Sequence, residues 1–259
     1  MPGGLMTPAE EATARLYGDI HRYASPTFAL DYFLPGFRKH LAALGLDPDR
    51  ALQGIRVLDA GCGGYAGGIA IMKALGARYA VGVDLSWENL EHARERLRGT
   101  PGVRLERGNL LDLPLRDNRF DFVYCNGVLM STEDPQRGFR ELVRVLRPGG
   151  RIYIGVYGRG GLFNEVAVPL MKAAGRIVPR PITTRALRYV PRLLEPSTSL
   201  LDFMYVPIEH HYHASDVAGW FETVKIQPTF LRHYYELDTA LSRALYGEGT
   251  MLFFSGIKP

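Results

Sequence analysis

The sequence predicts an α/β fold in which helices cover both faces of a doubly wound, mainly parallel sheet. Three observations predict this class. Apolar segments of strand length alternate with helical segments, two of the strands end in an acidic residue, and glycines closely follow the first of these acids. In open α/β sheets, ligands bind outside the carboxyl ends of the strands. The same observations therefore indicate a candidate functional site at that edge of the sheet.

The first strand begins at Arg56 and ends near Asp59, and the turn Gly61-Cys62-Gly63-Gly64-Tyr65-Ala66 follows it. Glycines allow the backbone to approach a ligand closely, and this turn also fits the G-x-G-x-x-G/A pattern of dinucleotide-binding proteins. A carboxylate two residues before the first glycine would repel a pyrophosphate, whereas it attracts the sulfonium and ammonium groups of S-adenosylmethionine. The acid therefore favours S-adenosylmethionine over a dinucleotide.

A second apolar strand, Tyr79–Asp84, also ends in an acid. Its carboxylate accepts two hydrogen bonds at once, which suits the two ribose hydroxyls of a nucleoside. The third strand, at 103–106, leads to Asn109, whose side chain is placed to meet an adenine edge. The fourth strand, Phe120–Asn126, opens into Gly127, and we expect the transferred methyl group to lie there.

A helix with an apolar face is predicted after the fourth strand. That face is formed by Phe139, Leu142, Val143 and Leu146. We expect the Arg-Pro-Gly-Gly segment at 147–150 to end this helix, because proline and glycine stop helices. The remaining predicted elements are a fifth strand at 151–156, a helix at 215–223, and two closing strands at 225–231 and 251–258.

Five motifs occur in order between Ile55 and Val156, namely VLDAGCG, VGVDLS, GNLLDLPL, FDFVYCNGVL and ELVRVLRPGGRIYI. On these motifs the chain resembles the class I S-adenosylmethionine-dependent methyltransferases, specifically the small-molecule enzymes related to the ubiquinone and menaquinone C-methyltransferases. The resemblance implies a Rossmann-like, mixed sheet of seven strands with an antiparallel last strand. Tyr65 departs from the family pattern, where a third glycine is usual, and Met130 and Ser131 stand where many relatives carry two histidines.

The resemblance also implies S-adenosylmethionine as the cofactor and a set of residues that bind it. These are Asp59, Gly61 and Gly63 around the methionine part, Asp84 on the ribose, Asn109 and the Leu110 amide at the adenine, the Asn126 backbone near the amino-acid end, and the neighbouring Cys62 and Leu85. For two of them a structural role is the alternative. Asp59 would then cap the following helix, and Asn109 would close an Asx turn.

The predicted domains are an N-terminal helical cap at 1–50, a cofactor-binding core at 51–157 and 214–259, and a substrate-lid insertion at 158–213. Tyr17, His21 and Tyr23 are candidates for closing the cap over the cofactor. A chain of 259 residues with 46% hydrophobic residues suits one domain with a substantial core. Since no apolar run reaches membrane-helix length and no signal-peptide pattern begins the chain, we expect a cytoplasmic protein. The two cysteines predict reduced thiols rather than a disulfide framework.

The insertion region is rich in cationic residues. Between residues 151 and 192, seven arginines and one lysine occur together with a single acid, Glu165. We interpret Arg185, Arg188 and Arg192 as a solvated helix face, since the formal net charge of the whole chain is only +4. The alternative, which we disfavour, is attraction of an anionic acceptor, an acyl carrier or a membrane surface.

Three histidines, His210, His211 and His213, lie at the end of the insertion. Free imidazole titrates near ~6.5, so one of them is a candidate catalytic base that takes a proton from the methyl acceptor. The alternative is a histidine with ordinary hydrogen bonds in the core or at the surface. We predict no metal site, because adjacent histidines on an extended segment point to opposite sides.

The predicted function is methyl transfer from S-adenosylmethionine to a small-molecule acceptor, such as a natural product, a quinone or a lipid-like compound. Two alternatives remain, an NAD(P)-dependent oxidoreductase and a nonenzymatic cofactor-binding or membrane-associated protein of the same fold. Nucleic acid is disfavoured as a partner. The Asn-Pro-Pro-Tyr type of motif is absent after the fourth strand, and no stripe of arginines interleaved with stacking aromatics occurs.

Overall fold

The computed structural model of the protein describes residues 7–21, 29–187, 197–231 and 239–259. Its centre is a sheet of seven strands. These are β1 (Arg56–Ala60), β2 (Tyr79–Asp84), β3 (Val103–Arg107), β4 (Phe120–Asn126), β5 (Leu146–Tyr157), β6 (Thr229–Leu231) and β7 (Met251–Ile257). Their order across the sheet is β3-β2-β1-β4-β5-β7-β6.

Strands β1 to β5 run parallel to one another, whereas β7 pairs antiparallel with both β5 and β6. The strand order reverses between β1 and β4, and a crevice forms outside the carboxyl ends of strands at such a point. This topology confirms the predicted doubly wound, mixed seven-stranded sheet with an antiparallel last strand.

Helices flank the sheet on both faces. They are α1 (Pro8–His21), α2 (Leu34–Ala43), α3 (Gly67–Ala74), α4 (Trp87–Arg96), α5 (Pro135–Val145), α6 (Val168–Ile177), α7 (Arg180–Leu187), α8 (Ser197–Tyr205), α9 (Ala214–Thr223) and α10 (Ala240–Tyr246). A π-helical turn, Phe163–Ala167, leads directly into α6. Of the helices that the structure describes, none combines the length and the hydropathy required to span a bilayer.

Successive residues of β1 pack into two different cores. Val57 belongs to a cluster with Phe37 of α2 and residues of α3, while Leu58 belongs to a cluster with Phe139 of α5 and Phe221 of α9. Because neighbouring side chains on a strand point to opposite faces, these clusters lie on the two sides of the sheet. The sheet is therefore buried on both faces, which explains its nearly continuous apolar strands.

Strand β5 is longer than the sequence predicted. Helix α5 already ends at Val145, and the segment at 147–150, expected to stop that helix, belongs to β5. Gly149 has a φ of +73°, and its amide donates to the carbonyl oxygen of Lys258 at 2.8 Å. The segment at 147–150 therefore extends β5 because it pairs with Lys258, a residue distant in sequence, and its own residues did not predict a strand.

Strand β6 is shorter than the predicted strand at 225–231. Lys225 adopts a left-handed φ of +58°, and the amide of Ile226 donates to the carbonyl of Phe221 at 3.0 Å. This geometry ends α9, and the strand starts at Thr229. The two closing strands pair antiparallel as predicted, with α10 in the connection between them.

Helix α1 of the predicted cap lies against the predicted insertion. Leu16 of α1 packs with Leu201 of α8 and with Val206 in a small cluster separate from the two main cores. Helix α2, in contrast, packs on the sheet through Phe37 and Leu41. The first helix of the cap therefore packs against the insertion rather than on the sheet.

Candidate active site

Asp59, at the end of β1, is almost completely buried. Its Oδ2 accepts a hydrogen bond from the amide of Ile69, in the first turn of α3, at 2.9 Å. A Cβ atom on Gly68 would lie 2.5 Å from the same oxygen, so this position requires glycine. Burial raises the pKa of Asp59 to about 7. The helix-capping alternative for Asp59 is thus observed, and a carboxylate retains further acceptor sites for a ligand.

The glycine turn after β1 adopts backbone conformations that favour glycine. Gly61 and Gly63 have φ values of +79° and +61°. The amides of Gly61 and Cys62 both donate to the carbonyl of Val83, at 2.7 and 3.0 Å. A Cβ on Gly61 would collide with the side chain of Val128. The turn therefore passes tightly between β2 and the loop after β4, at the switch point of the sheet.

Asp84, at the end of β2, connects this turn to helix α4. Its carboxylate accepts hydrogen bonds from the amide of Gly63 at 2.9 Å, the amide of Ser86 at 2.9 Å and the Asn89 side chain at 3.0 Å. Burial raises the pKa of Asp84, while these donors act in the opposite direction. Leu85, the next residue, is half-buried. The predicted ribose contact of Asp84 stays a prediction, and the structure assigns this carboxylate a structural role as well.

Asn109 occupies the loop after β3, next to the buried Leu110. Its Oδ1 accepts a hydrogen bond from the amide of Leu111 at 2.9 Å, which is the Asx turn that the sequence left open as an alternative. Its Nδ2 donates to Oε1 of Glu10 in α1 at 2.8 Å. Asn109 therefore ties the cap helix to the loop where adenine was predicted to bind.

Asn126 ends β4 at the same edge of the sheet. Its Nδ2 donates to the hydroxyl of Tyr124 at 3.1 Å, but its buried Oδ1 has no hydrogen-bond partner among the residues that the structure describes. A buried amide oxygen without a donor is costly, so such an atom indicates a place where a ligand donor fits. An ammonium group of an amino-acid ligand supplies such a donor.

A second group of polar side chains lies where α1, the loop after β4, the end of β5 and α8 meet. We call it the Asp202 cluster, and it consists of Tyr17, Ser131, Tyr157 and Asp202. The hydroxyl of Tyr17 donates to Oδ1 of Asp202 at 2.6 Å and lies 3.3 Å from Oγ of Ser131. The hydroxyl of Tyr157 donates to the other carboxylate oxygen of Asp202. Asp202 is thus held from both sides by phenols.

Burial raises the pKa of Asp202 to about 6, and the hydrogen bonds from Tyr157 and Tyr17 oppose this rise. Burial also raises the pKa of both phenols well above the ordinary value, so they stay protonated and donate. Burial is the main cause that raises the pKa of Tyr65 in the glycine turn, and the nearby charge of Asp202 raises it further. The Asp202 cluster therefore borders the predicted cofactor site and offers a carboxylate able to take up a proton near neutral pH.

Asp202 and Tyr157 are not among the residues predicted from the sequence. The signal that points to Asp202 is an acid inside the apolar segment Leu200-Leu201-Asp202-Phe203-Met204, since an isolated acid on an apolar helix is rarely buried without a partner. Of the cap candidates, Tyr17 reaches the site, the side chain of His21 is not described, and Tyr23 lies outside the described residues.

The three candidate histidines do not converge on one point. Nδ1 of His211 lies 3.0 Å from the carbonyl of Gly158, and its Nε2 lies 2.6 Å from Oε1 of Glu209. Burial lowers the pKa of His211, but these two acceptors outweigh burial and raise it overall. Nε2 of His210 lies 3.2 Å from the carbonyl of Thr132, and His213 is half-exposed at the start of α9.

A catalytic base needs a ring nitrogen without a proton, and two acceptors on His211 favour the imidazolium form instead. The base role of the histidines stays a prediction. The ring of His211 stacks on Tyr157 at 5.5 Å between centroids, so His211 supports the Asp202 cluster from behind. Lys172 completes this support, because its Nζ lies 2.7 Å from the second oxygen of Glu209.

An open cleft of about 330 Å³ lies on the outer side of these residues. It is lined by Arg159, Asn164, Glu165, Glu209, His210, His211 and Tyr212. His211 therefore stacks on the Asp202 cluster and also lines the cleft.

Comparison with known proteins agrees with this geometry. Residues 58–154 match the family described as a methyltransferase domain. A demethylmenaquinone methyltransferase from Staphylococcus aureus is 36% identical over 101 residues, which are 39% of this chain and 42% of that protein. The matched segments span less than half of the length of the curated relatives.

Two solved structures share the fold over nearly the whole chain. An S-adenosylmethionine-dependent methyltransferase from Thermotoga maritima superimposes with a TM-score of 0.60 at 17% identity, covering 97% of this chain and 100% of that chain. Geranyl diphosphate C-methyltransferase from Streptomyces coelicolor superimposes with a TM-score of 0.57 at 18% identity, covering 98% and 100%. These likenesses confirm the predicted fold. Residues 58–154 are therefore similar to a methyltransferase domain, and the chain shares its fold with these solved methyltransferases.

Proposed function

We propose that the protein transfers a methyl group from S-adenosylmethionine to a small-molecule acceptor. One observation carries this proposal. Asp59, the glycine turn and Asp84 converge at the carboxyl ends of β1 and β2, within a methyltransferase domain. Two buried carboxylates at this edge suit a cationic ligand with a ribose and oppose a pyrophosphate.

The residues at this edge fit S-adenosylmethionine. Asp59 and the unpaired Oδ1 of Asn126 would hold the methionine end, beside Gly61, Cys62 and Gly63. Asp84 and Leu85 would hold the ribose, and the loop with Asn109 and Leu110 would border the adenine. When bound, the cofactor supplies an electrophilic methyl group on a sulfonium.

On the acceptor side, we assign the proton transfer to Asp202. The acceptor's O–H, N–H or C–H bond would break, its electron pair would stay on the acceptor atom, and the proton would move to a carboxylate oxygen of Asp202. The bound cofactor would supply the methyl group for that electron pair, and the electron pair of the broken methyl–sulfur bond would remain on sulfur. From Asp202 the proton would pass to water. Tyr17 and Tyr157 orient the carboxylate by donating to its two oxygens. Holding the acceptor in line is the larger part of such catalysis.

The acceptor class follows from the same site. Buried phenols and a carboxylate suit a compact acceptor with an ionisable proton, in the range of natural products, quinones and lipid-like compounds. Two proteins that this chain resembles are named for small-molecule acceptors. They are demethylmenaquinone methyltransferase and geranyl diphosphate C-methyltransferase. The buried free thiols Cys62 and Cys125 agree with our proposal that the enzyme works in the reducing cytoplasm.

Calorimetry with S-adenosylhomocysteine and with NADH tests the cofactor. We expect binding of the first and none of the second; the reverse result would establish the oxidoreductase alternative. Incubation of the protein with methyl-labelled S-adenosylmethionine and fractionated metabolite extracts then tests transfer. Cofactor binding without any labelled product would support the nonenzymatic alternative, and the Asp202→Asn protein serves as the matched control for enzyme-dependent label.

A further inference from the structure

The outer surface of the insertion carries an unusual set of exposed aliphatic side chains. They occur at intervals along the π-helical turn, α6 and α7, and comprise Leu162, Val166, Leu170, Ile177 and Ile182. Ile177 is 82% exposed and Leu170 is 65% exposed. Val166, Leu170 and Ile177 follow helical spacing and form one stripe, and Leu162 and Ile182 flank this stripe along the chain. We call these five side chains the α6 face.

The α6 face cannot turn inward, because the opposite side of the helix is already packed. Val168 is buried in the main core, and Met171 packs against that core. Gly175 lies so close to α8 that a Cβ there would collide with the backbone of Met204. The stripe therefore points away from the protein at a position fixed by two packed contacts.

The charge around this stripe is positive. Residues 158–187 contain Arg159, Lys172, Arg176, Arg180 and Arg185 against the single acid Glu165. Lys172 is paired with Glu209 inside the insertion, whereas Arg176 and Arg185 are exposed. Exposed aliphatic side chains with adjacent arginines are the pattern of a helix that lies in the interface of an anionic membrane.

We propose that the α6 face docks the protein on an anionic lipid surface. The exposed aliphatic side chains favour this proposal over our sequence-based interpretation of Arg185 as part of a solvated helix face. The aliphatic side chains would enter the boundary between headgroups and acyl chains, and Arg176 and Arg185 would contact the anionic headgroups. A second copy of the chain fits this face less well. In a two-fold dimer the same face meets itself, so the two positive surfaces would repel each other.

Cosedimentation with large vesicles tests the proposal without any need for activity. One vesicle type contains equal parts of phosphatidylglycerol and phosphatidylcholine, and the other contains phosphatidylcholine alone. We expect binding to the first and much weaker binding to the second. The Leu170→Gln/Ile177→Gln protein should bind the anionic vesicles at least roughly tenfold more weakly, because two large aliphatic groups no longer leave water. Arg176→Gln and Arg185→Gln should each weaken binding roughly fivefold.

Ile257→Gln is the matched control. Ile257 is an exposed aliphatic residue of β7 that pairs with Arg151 within β5, whereas the insertion follows the end of β5. This protein should bind vesicles like the wild type. The proposal is overturned if the wild type stays in the supernatant with anionic vesicles, or if it binds both vesicle types equally. Light scattering that shows a dimer, converted to a monomer by Leu170→Gln/Ile177→Gln, would instead assign the face to a second copy.

Discussion

The hydroxyl of Tyr17 donates a hydrogen bond of 2.6 Å to Asp202, across a sequence separation of 185 residues. Tyr17 belongs to α1 and Asp202 to α8, so this bond joins the N-terminal helix to the insertion. Tyr157, at the end of β5, holds the second carboxylate oxygen and attaches both helices to the sheet. A single carboxylate thus joins α1, α8 and the end of β5.

We expect Asp84→Ala to weaken S-adenosylhomocysteine binding by roughly one to two orders of magnitude. Hydrogen bonds to a charged acceptor contribute about 1.5–3 kcal/mol, and the ribose would lose them. Calorimetry measures the loss. Since Asp84 also binds the Gly63 and Ser86 amides, Asp84→Asn serves as a size-matched control for folding, checked by thermal unfolding. Unchanged affinity in Asp84→Ala would remove this residue from the ribose site.

Asp202→Asn should lower kcat by roughly 10²–10⁴ while S-adenosylhomocysteine affinity stays close to wild type, because the amide cannot take up the acceptor's proton. In the wild type the rate should fall as the pH drops below about 6, where Asp202 becomes protonated. The variant should lack this acidic limb. A wild-type pH profile in Asp202→Asn would show that the carboxylate takes no part in proton transfer.

The pH dependence of folding stability provides a test of Asp202 that needs no substrate. Burial raises its pKa from 3.8 to about 6, so the folded protein binds more protons than the unfolded chain between these values. The contribution of Asp202 to the free energy of unfolding is therefore complete below about pH 4 and is lost as the pH rises through about 6. Relative to Asp202→Asn, wild type should lose on the order of 3 kcal/mol between pH 4 and pH 7. Urea unfolding of both proteins measures this difference, and a constant difference would contradict the prediction.

Single replacements of His210, His211 and His213 by Gln distinguish a histidine base from Asp202. If one histidine is the base, its Gln variant should lose roughly 10²–10⁴ in kcat. With Asp202 as the proton acceptor, we expect the kcat of all three variants to change by less than about tenfold. His211→Gln should also lower stability, because Glu209 and the Gly158 carbonyl lose their shared partner. The half-exposed His213 provides the internal control for stability. A large kcat loss in one histidine variant, with Asp202→Asn still active, would reverse our assignment.

The cofactor edge could be predicted from the sequence because its determinants are local. Asp59 and Asp84 each end an apolar strand, and the turn after β1 needs glycines for its positive φ angles. Strand periodicity and turn chemistry depend on neighbouring residues, so they can be read from the order of the chain. The same rule explains why the predicted lengths of β5 and β6 were wrong. Gly149 and Lys225 have backbone conformations determined by pairing with the chain end and by the end of α9.

The acceptor side depended on the tertiary structure. Tyr17, Tyr157 and Asp202 come from three segments that no local pattern relates, and the pKa of Asp202 rises only because packing removes it from water. The environment of His211 is likewise set by Glu209 and Gly158 once the chain has folded. The sequence by itself thus determined the fold and the edge at which we propose that the cofactor binds. Only the tertiary structure decided which carboxylate is buried beside it, because burial and long-range hydrogen bonds are properties of the packed chain.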